Sequence, residues 1–356
     1  MMRDIHISKI KGIGICLMVL GHALWLGPLR DIIYLFHMPL FFITTGYLFK
    51  ETWLSTPPLY VKNQFCKQYW VYVKWCLFFL LLHNVFMYLG VMNEFYGYKG
   101  LGYEPYSRIQ LVKKAIRIIV FMDGNEPLLA GFWFVKTLFV ATTLLCCLRA
   151  AIKYILNKFD IQSFYINMIL SIVMLLALLF LFYFFTIKTI FVETKEIIAM
   201  IFLLFGMLLH RIKTYSSLIV IYLMVLFVLV YIYFGAVNMF AETFAKALEI
   251  LLTGTIGWIL IYKVSHISCK IDTFLAHCGD HSLQILIWHL LCFKIPTLLY
   301  LYVTNNDIKK ISAIPNLQIE NIRYILLCTL TGIILPLFIC KVLNNCLIII
   351  KRLNHE

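Results

Sequence analysis

The chain has 356 residues, 62% of them hydrophobic and only 13% charged, which excludes a soluble globular domain and calls for a polytopic membrane protein. Its formal charge of +14 fits basic loops beside anionic headgroups and an anionic ligand, and no nucleic-acid partner is expected. Eleven cysteines are scattered mostly through apolar stretches without paired CxxC spacing, so neither a disulfide framework nor a metal site is expected.

Apolar runs of about 18 to 25 residues predict ten transmembrane helices. They fall at 8–27, 31–49, 69–92, 128–148, 164–187, 196–211, 216–235, 243–263, 282–303 and 323–350. The fold class is therefore all-α, a helical bundle forming one domain over 1–356. The first run lacks an Ala-x-Ala-like site and a second follows at once, so it reads as a span and not as a cleaved leader. Basic residues weight one side of the membrane modestly, among them Lys9, Lys11, Lys50, Lys62, Arg149, Lys153 and Arg211. That bias, with an even number of spans, places both termini in the cytosol.

In the first span Lys11 and His22 are eleven residues apart. At 100° per residue the two share one helical face, about 16 Å apart along the axis. Ionisable side chains inside a membrane are costly and are read as functional by default. The second span, Phe36-His-Met-Pro-Leu-Phe-Phe, carries His37 and is interrupted by Pro39, which frees the carbonyl of Leu35. A three-residue link makes these two helices neighbours, so His22 and His37 are expected to converge on one cavity. His83, in the third span, is read as a hydrogen-bonded core residue. The segment 93–127 is the longest loop, and its stretch Arg108 to Met122 reads as a basic amphipathic helix at the interface. The fourth span opens Gly131-Phe-Trp-Phe-Val-Lys, with Lys136 needing a partner or an aqueous lining. The ninth begins within Gly279-Asp-His-Ser-Leu-Gln-Ile-Leu-Ile-Trp-His289. His277, Cys278 and His281 lack a fourth ligand of sensible spacing, so this loop is not expected to hold a metal.

Three of these motifs together resemble the acyltransferase 3 family of integral membrane acyltransferases. The resemblance rests on the basic residue, ten others and a histidine at Lys11–His22, with the Phe36–Phe42 run beside it. The Gly131–Phe139 stretch resembles the family's G-x-W-F-L, and Gly279–His289 its G-x-x-S-L helix ending in histidine. Two departures stand out: lysine where arginine is usual at position 11, and Ser8 where an acidic residue is often found. Lysine keeps the charge and loses the planar fork.

The resemblance implies acetyl-CoA as acyl donor and a sugar hydroxyl, on a surface polysaccharide or its lipid-linked precursor, as acceptor. It implies a place in the cytoplasmic membrane of a bacterium. His22 is expected as general base, with His37 and His289 completing the catalytic set. Lys11, Arg3, Trp133 and Lys136 are expected to hold the donor, and no metal is called for. Topology alone would suit a transporter or glycan flippase equally; the three motifs favour an enzyme.

Overall fold

The computed structural model describes residues 4–185, 192–212 and 216–353, so Arg3 lies outside the described residues. Asp4 caps the first helix, its carboxylate accepting from the backbone N–H of His6 at 2.9 Å. The α-helices, in chain order, are α1 (Ile5–Ala23), α2 (Pro28–Tyr47), α3 (Pro57–Gln64), α4 (Trp70–Tyr88), α5 (Arg108–Phe121), α6 (Trp133–Lys158) and α7 (Phe164–Phe184). They continue as α8 (Thr194–Leu209), α9 (Ser217–Phe234), α10 (Phe244–Ser265), α11 (Asp272–Asp280), α12 (Ser282–Cys292), α13 (Lys294–Val303) and α14 (Ile322–Leu353). Short 3₁₀ turns at Glu51–Ser55, Pro127–Phe132 and Ile308–Ser312 and a π-turn at Phe65–Tyr69 complete the helical content, and no named strand is present among the described residues.

Over their described residues all ten predicted spans fall mainly on helix, and among the described residues seven helical stretches are long and apolar enough to cross a membrane. The other three are α2, whose first turns hold Arg30 and Asp31, α8 with only 16 residues, and α9, apolar over Leu218–Tyr233. Sixteen residues rise about 24 Å, short of a hydrocarbon core of about 30 Å. The predicted span 128–148 falls within the helical stretch Pro127–Lys158, which continues past the expected end. Arg149 does not end it, because its guanidinium is buried and bonded to both carboxylate oxygens of Glu51, at 2.7 and 3.3 Å. The stretch 108–122 is helical as expected but does not lie flat at an interface. It packs antiparallel along α4, held by Asn84 and the backbone of Tyr106 at one end and by the Tyr69 and Tyr72 hydroxyls at the other.

Helices α1 and α2 run antiparallel through a four-residue link, and α2 is wedged between α8 and α10. Glycine makes that wedge possible. A Cβ on Gly206 would lie 2.1 Å from the carbonyl oxygen of Ile43, and one on Gly254 would lie 2.7 Å from the ring of Pro39. Pro39 accordingly sits in the helix interior with a neighbour pressed onto it, and the Thr253 hydroxyl stands 3.5 Å from the freed Leu35 carbonyl. Two cores result. One centres on α2, α8 and α10; the other on α1, α4, α12 and α14. The seam between them runs along α1 and α2, where the histidines are.

Candidate functional site

α1 ends just after His22, and Asn316 closes that end. Its side-chain amide donates to the carbonyls of His22 (3.2 Å) and Ala23 (2.9 Å), satisfying groups that a helix terminus leaves open. Asn316 belongs to the 304–321 loop, which the buried Lys294 anchors by donating to the carbonyls of Ile311 and Ala313 at 2.8 and 2.7 Å. His22 is thus fixed from behind by a loop nearly 300 residues away in sequence.

The ring geometry then fixes a tautomer. His289 is fully buried on α12, and its Nδ1 faces the helical carbonyls of Ile285 (3.1 Å) and Leu286 (3.0 Å). Carbonyls only accept, so Nδ1 carries the hydrogen, and in the neutral ring Nε2 is a lone pair. That lone pair lies 3.1 Å from Nδ1 of His22. His22 therefore donates through Nδ1 and leaves its own Nε2 unprotonated. His37 obeys the same logic on α2: Nδ1 donates to the Ile33 carbonyl at 2.8 Å, leaving Nε2 as an acceptor.

One cavity receives these groups. It is lined by His22, His37, Tyr34, Trp133, Asn238 and Phe240, with Gly131, Met18, Met38, Met239 and Leu286. Tyr34 stands edge-on to His37 with ring centroids 4.9 Å apart, and Trp133 and Phe240 approach to 4.8 Å. The Arg30 guanidinium lies 4.8 Å over the Tyr34 ring. A second cavity is lined by Lys11, Lys67, Gln68, Thr45 and Ser282 among ten apolar residues. Met18, Met38 and Leu286 line both cavities and partition them. Two of the three are methionine, unbranched and able to change rotamer. One line thus runs from two lysines, past a soft apolar partition, to two histidine bases.

The structure brings His22, His37 and Trp133 to the first cavity and Lys11 to the second. His289 acts on the first from behind, through His22. Lys136, half-buried in the first turn of α6, lines neither cavity. Trp133 faces the histidines, at a distance from the lysines that sequence reasoning had not separated. Tyr34, Asn238, Lys67 and Gln68 were not singled out from the sequence. Lys67 and Gln68 fall within the π-turn at the head of α4, in a stretch that reads as an ordinary basic loop. His83 is the buried core residue it was taken for, now with partners. Nδ1 lies 2.9 Å from the Glu126 carboxylate and Nε2 3.0 Å from the Glu104 carbonyl, and the Tyr106 ring stacks on it at 3.6 Å. No group of three potential metal ligands occurs among the described residues.

The profile of the acyltransferase 3 family, described as "Acyltransferase domain", matches residues 7–341. The chain belongs to the acyltransferase 3 family. All three motifs and both cavities fall inside the matched region. One relative is "Nodulation protein NolL" of Sinorhizobium fredii (strain NBRC 101917 / NGR234), 46% identical over 65 residues. That match spans 15% of this chain and 18% of the relative. No solved structure matches.

Proposed function

We propose that this protein is an O-acetyltransferase, carrying an acetyl group from acetyl-CoA to a hydroxyl of a surface polysaccharide or its lipid-linked precursor. The observation that carries the reading is the unprotonated Nε2 of His22, set by His289, on a residue that lines a cavity adjoining the Lys11 cavity across three side chains. Lys11 and Lys67 would take the phosphates of the donor. Both are point charges that suit phosphate without a bidentate grip. The pantetheine arm would lie among the apolar walls, with the thioester passing Met18, Met38 and Leu286. The Lys11 end of the bundle would face the cytosol, where the donor is made, in the cytoplasmic membrane of a bacterium.

The acceptor sugar would stack in the aromatic cavity, with Asn238 as hydrogen-bonding partner. Aromatic walls with a few placed polar groups are the usual make-up of a small-molecule site. The acceptor O–H gives its proton to Nε2 of His22 as its oxygen attacks the thioester carbonyl. Collapse of the tetrahedral intermediate breaks the C–S bond. The proton on Nε2 passes to the departing sulfur, leaving an ester and free CoA. Neutral His37 presents a lone pair, and the proton that His22 takes is committed to the departing sulfur, so neither serves the developing oxyanion. The Tyr34 hydroxyl and the Asn238 amide are the donors in the same cavity, and they are assigned that task. His289 is a positioning residue, since it touches His22 and carbonyls of its own helix.

Purified protein in detergent, given labelled acetyl-CoA and a glycolipid extract, should release CoA and label the glycan. Turnover that needs sealed vesicles, with the glycan recovered unmodified on the far side, would replace the enzyme by a transporter.

A further inference from the structure

A second polar cavity lies elsewhere, at the end of the bundle where α2 and α6 terminate and α7 begins. It is lined by Glu51, Arg149, Lys153, Ser163, Asn167 and Arg211, among others. It shares no lining residue with the Lys11 cavity, and the buried cluster of Leu54, Tyr60 and Cys146 packs beside it. Its floor is built. Fully buried Arg149 bonds to Glu51 through its two terminal nitrogens and to Asn167 Oδ1 at 2.9 Å through Nε, while the Asn167 amide returns a bond to the Arg149 carbonyl at 3.1 Å.

Glu51 neutralises Arg149, but the cavity holds more positive charge than that. Arg211 and Lys153 also line it, and neither forms an ion pair among the described residues. The Arg211 and Arg149 guanidinium carbons stand 4.3 and 5.5 Å from the same Phe164 ring, which gathers two cations around one side chain. α7 starts in this cavity with Ser163 as cap and no acidic residue in its first turn, so the positive end of its dipole adds to the field. Exposed Arg211 and half-buried Lys153 are partly screened by water, and together with the helix end they give this space a field that favours an anion. The surface beyond identifies the anion. From the cavity the outer face of α7 continues as exposed apolar side chains, Tyr165, Ile166, Ile169, Val173 and Met174, each at least 40% exposed. A ligand with a phosphate at one end and hydrocarbon at the other fits both parts.

We propose that this cavity binds the phosphate of an anionic phospholipid, with an acyl chain lying along α7. The site stands independently of acyl transfer, and Arg211 and Lys153 take no part in that chemistry. The test is native mass spectrometry of the purified protein in a non-ionic detergent, with phosphatidylglycerol or phosphatidylcholine added at equal concentration. A third arm adds adenosine 3′,5′-bisphosphate. The unmodified protein should retain phosphatidylglycerol preferentially. The double variant Arg211→Ala, Lys153→Ala should lose about 10- to 30-fold of that preference, as expected for two basic side chains beside an anionic headgroup. Arg211→Lys should keep most of it, which separates lost charge from lost packing. Equal retention of both lipids, an unchanged preference in the double variant, or displacement of the lipid by the bisphosphate would each overturn the proposal.

Discussion

Replacing His289 tests the tautomer argument without removing the base. His289→Ala deletes the acceptor 3.1 Å from Nδ1 of His22 and leaves the ring free to carry its hydrogen on either nitrogen. Two losses combine. The bond itself is worth about 1 kcal/mol between neutral partners, about fivefold. Loss of orientation adds to it, and removal of groups that orient a reactive histidine typically costs a further factor within about 10- to 100-fold. A fall in kcat of about 100-fold is therefore expected, with KM for acetyl-CoA little changed because His289 lines neither cavity. Truncating a fully buried ring should also lower stability, by about 2 to 4 kcal/mol. His289→Gln distinguishes the two effects. A glutamine amide reaches roughly the place of the imidazole Nε2, and its oxygen can accept from Nδ1 of His22. Turnover should recover to within about tenfold of the parent if tautomer control is what matters. The assay is steady-state CoA release, with thermal melting measured alongside. Equal kcat in the folded alanine and glutamine variants, or a glutamine variant worse than alanine, would refute the argument.

Three further outcomes are expected. Lys11→Ala and Lys67→Ala should each raise the KM for acetyl-CoA about tenfold with kcat largely kept, and Lys11→Arg should be tolerated, because phosphate attraction follows charge; unchanged KM in both would remove the donor from that cavity. Met18→Trp should overfill the partition and cut kcat while donor binding, read by isothermal titration, persists; normal turnover would show that the thioester takes another route. The Asp272 carboxyl is held below the usual carboxylate range, first by its bond to Lys9 Nζ at 2.7 Å. Its stabilising effect is then fully present above the unfolded carboxylate value near pH 4 and disappears as pH falls through the lower folded value. Asp272→Asn should therefore melt below the parent at neutral pH, and the gap should close in acid; a gap that is constant with pH would contradict the ion pair's role.

The helices were legible because long apolar runs admit little else in a membrane. Lys11 and His22 were legible as aligned groups because eleven residues is a property of one helix. The convergence of His22 with His289 was expected only from the family resemblance, since the contact depends on how α1 packs against α12, 267 residues on. Asn238 and Phe240 were missed for the same reason. The loop between α9 and α10 turns inward there, with Met239 only 2% exposed, and nothing local to 235–243 announces it. Arg149 misled for a definite cause: a basic residue after an apolar run reads as the end of a span unless its partner, Glu51, is known to wait inside.

The account stands or falls on Nε2 of His22 as the base. The most direct measurement is single-turnover acyl transfer by His22→Gln, in protein shown by thermal melting to be folded and by titration to bind acetyl-CoA. Glutamine retains a hydrogen-bonding side chain that can satisfy His289 and cannot take the acceptor's proton. The account predicts a rate lower by about 10² to 10⁴, the usual contribution of a positioned general base. A folded, donor-bound glutamine variant that transfers the acyl group at the parent rate would contradict it.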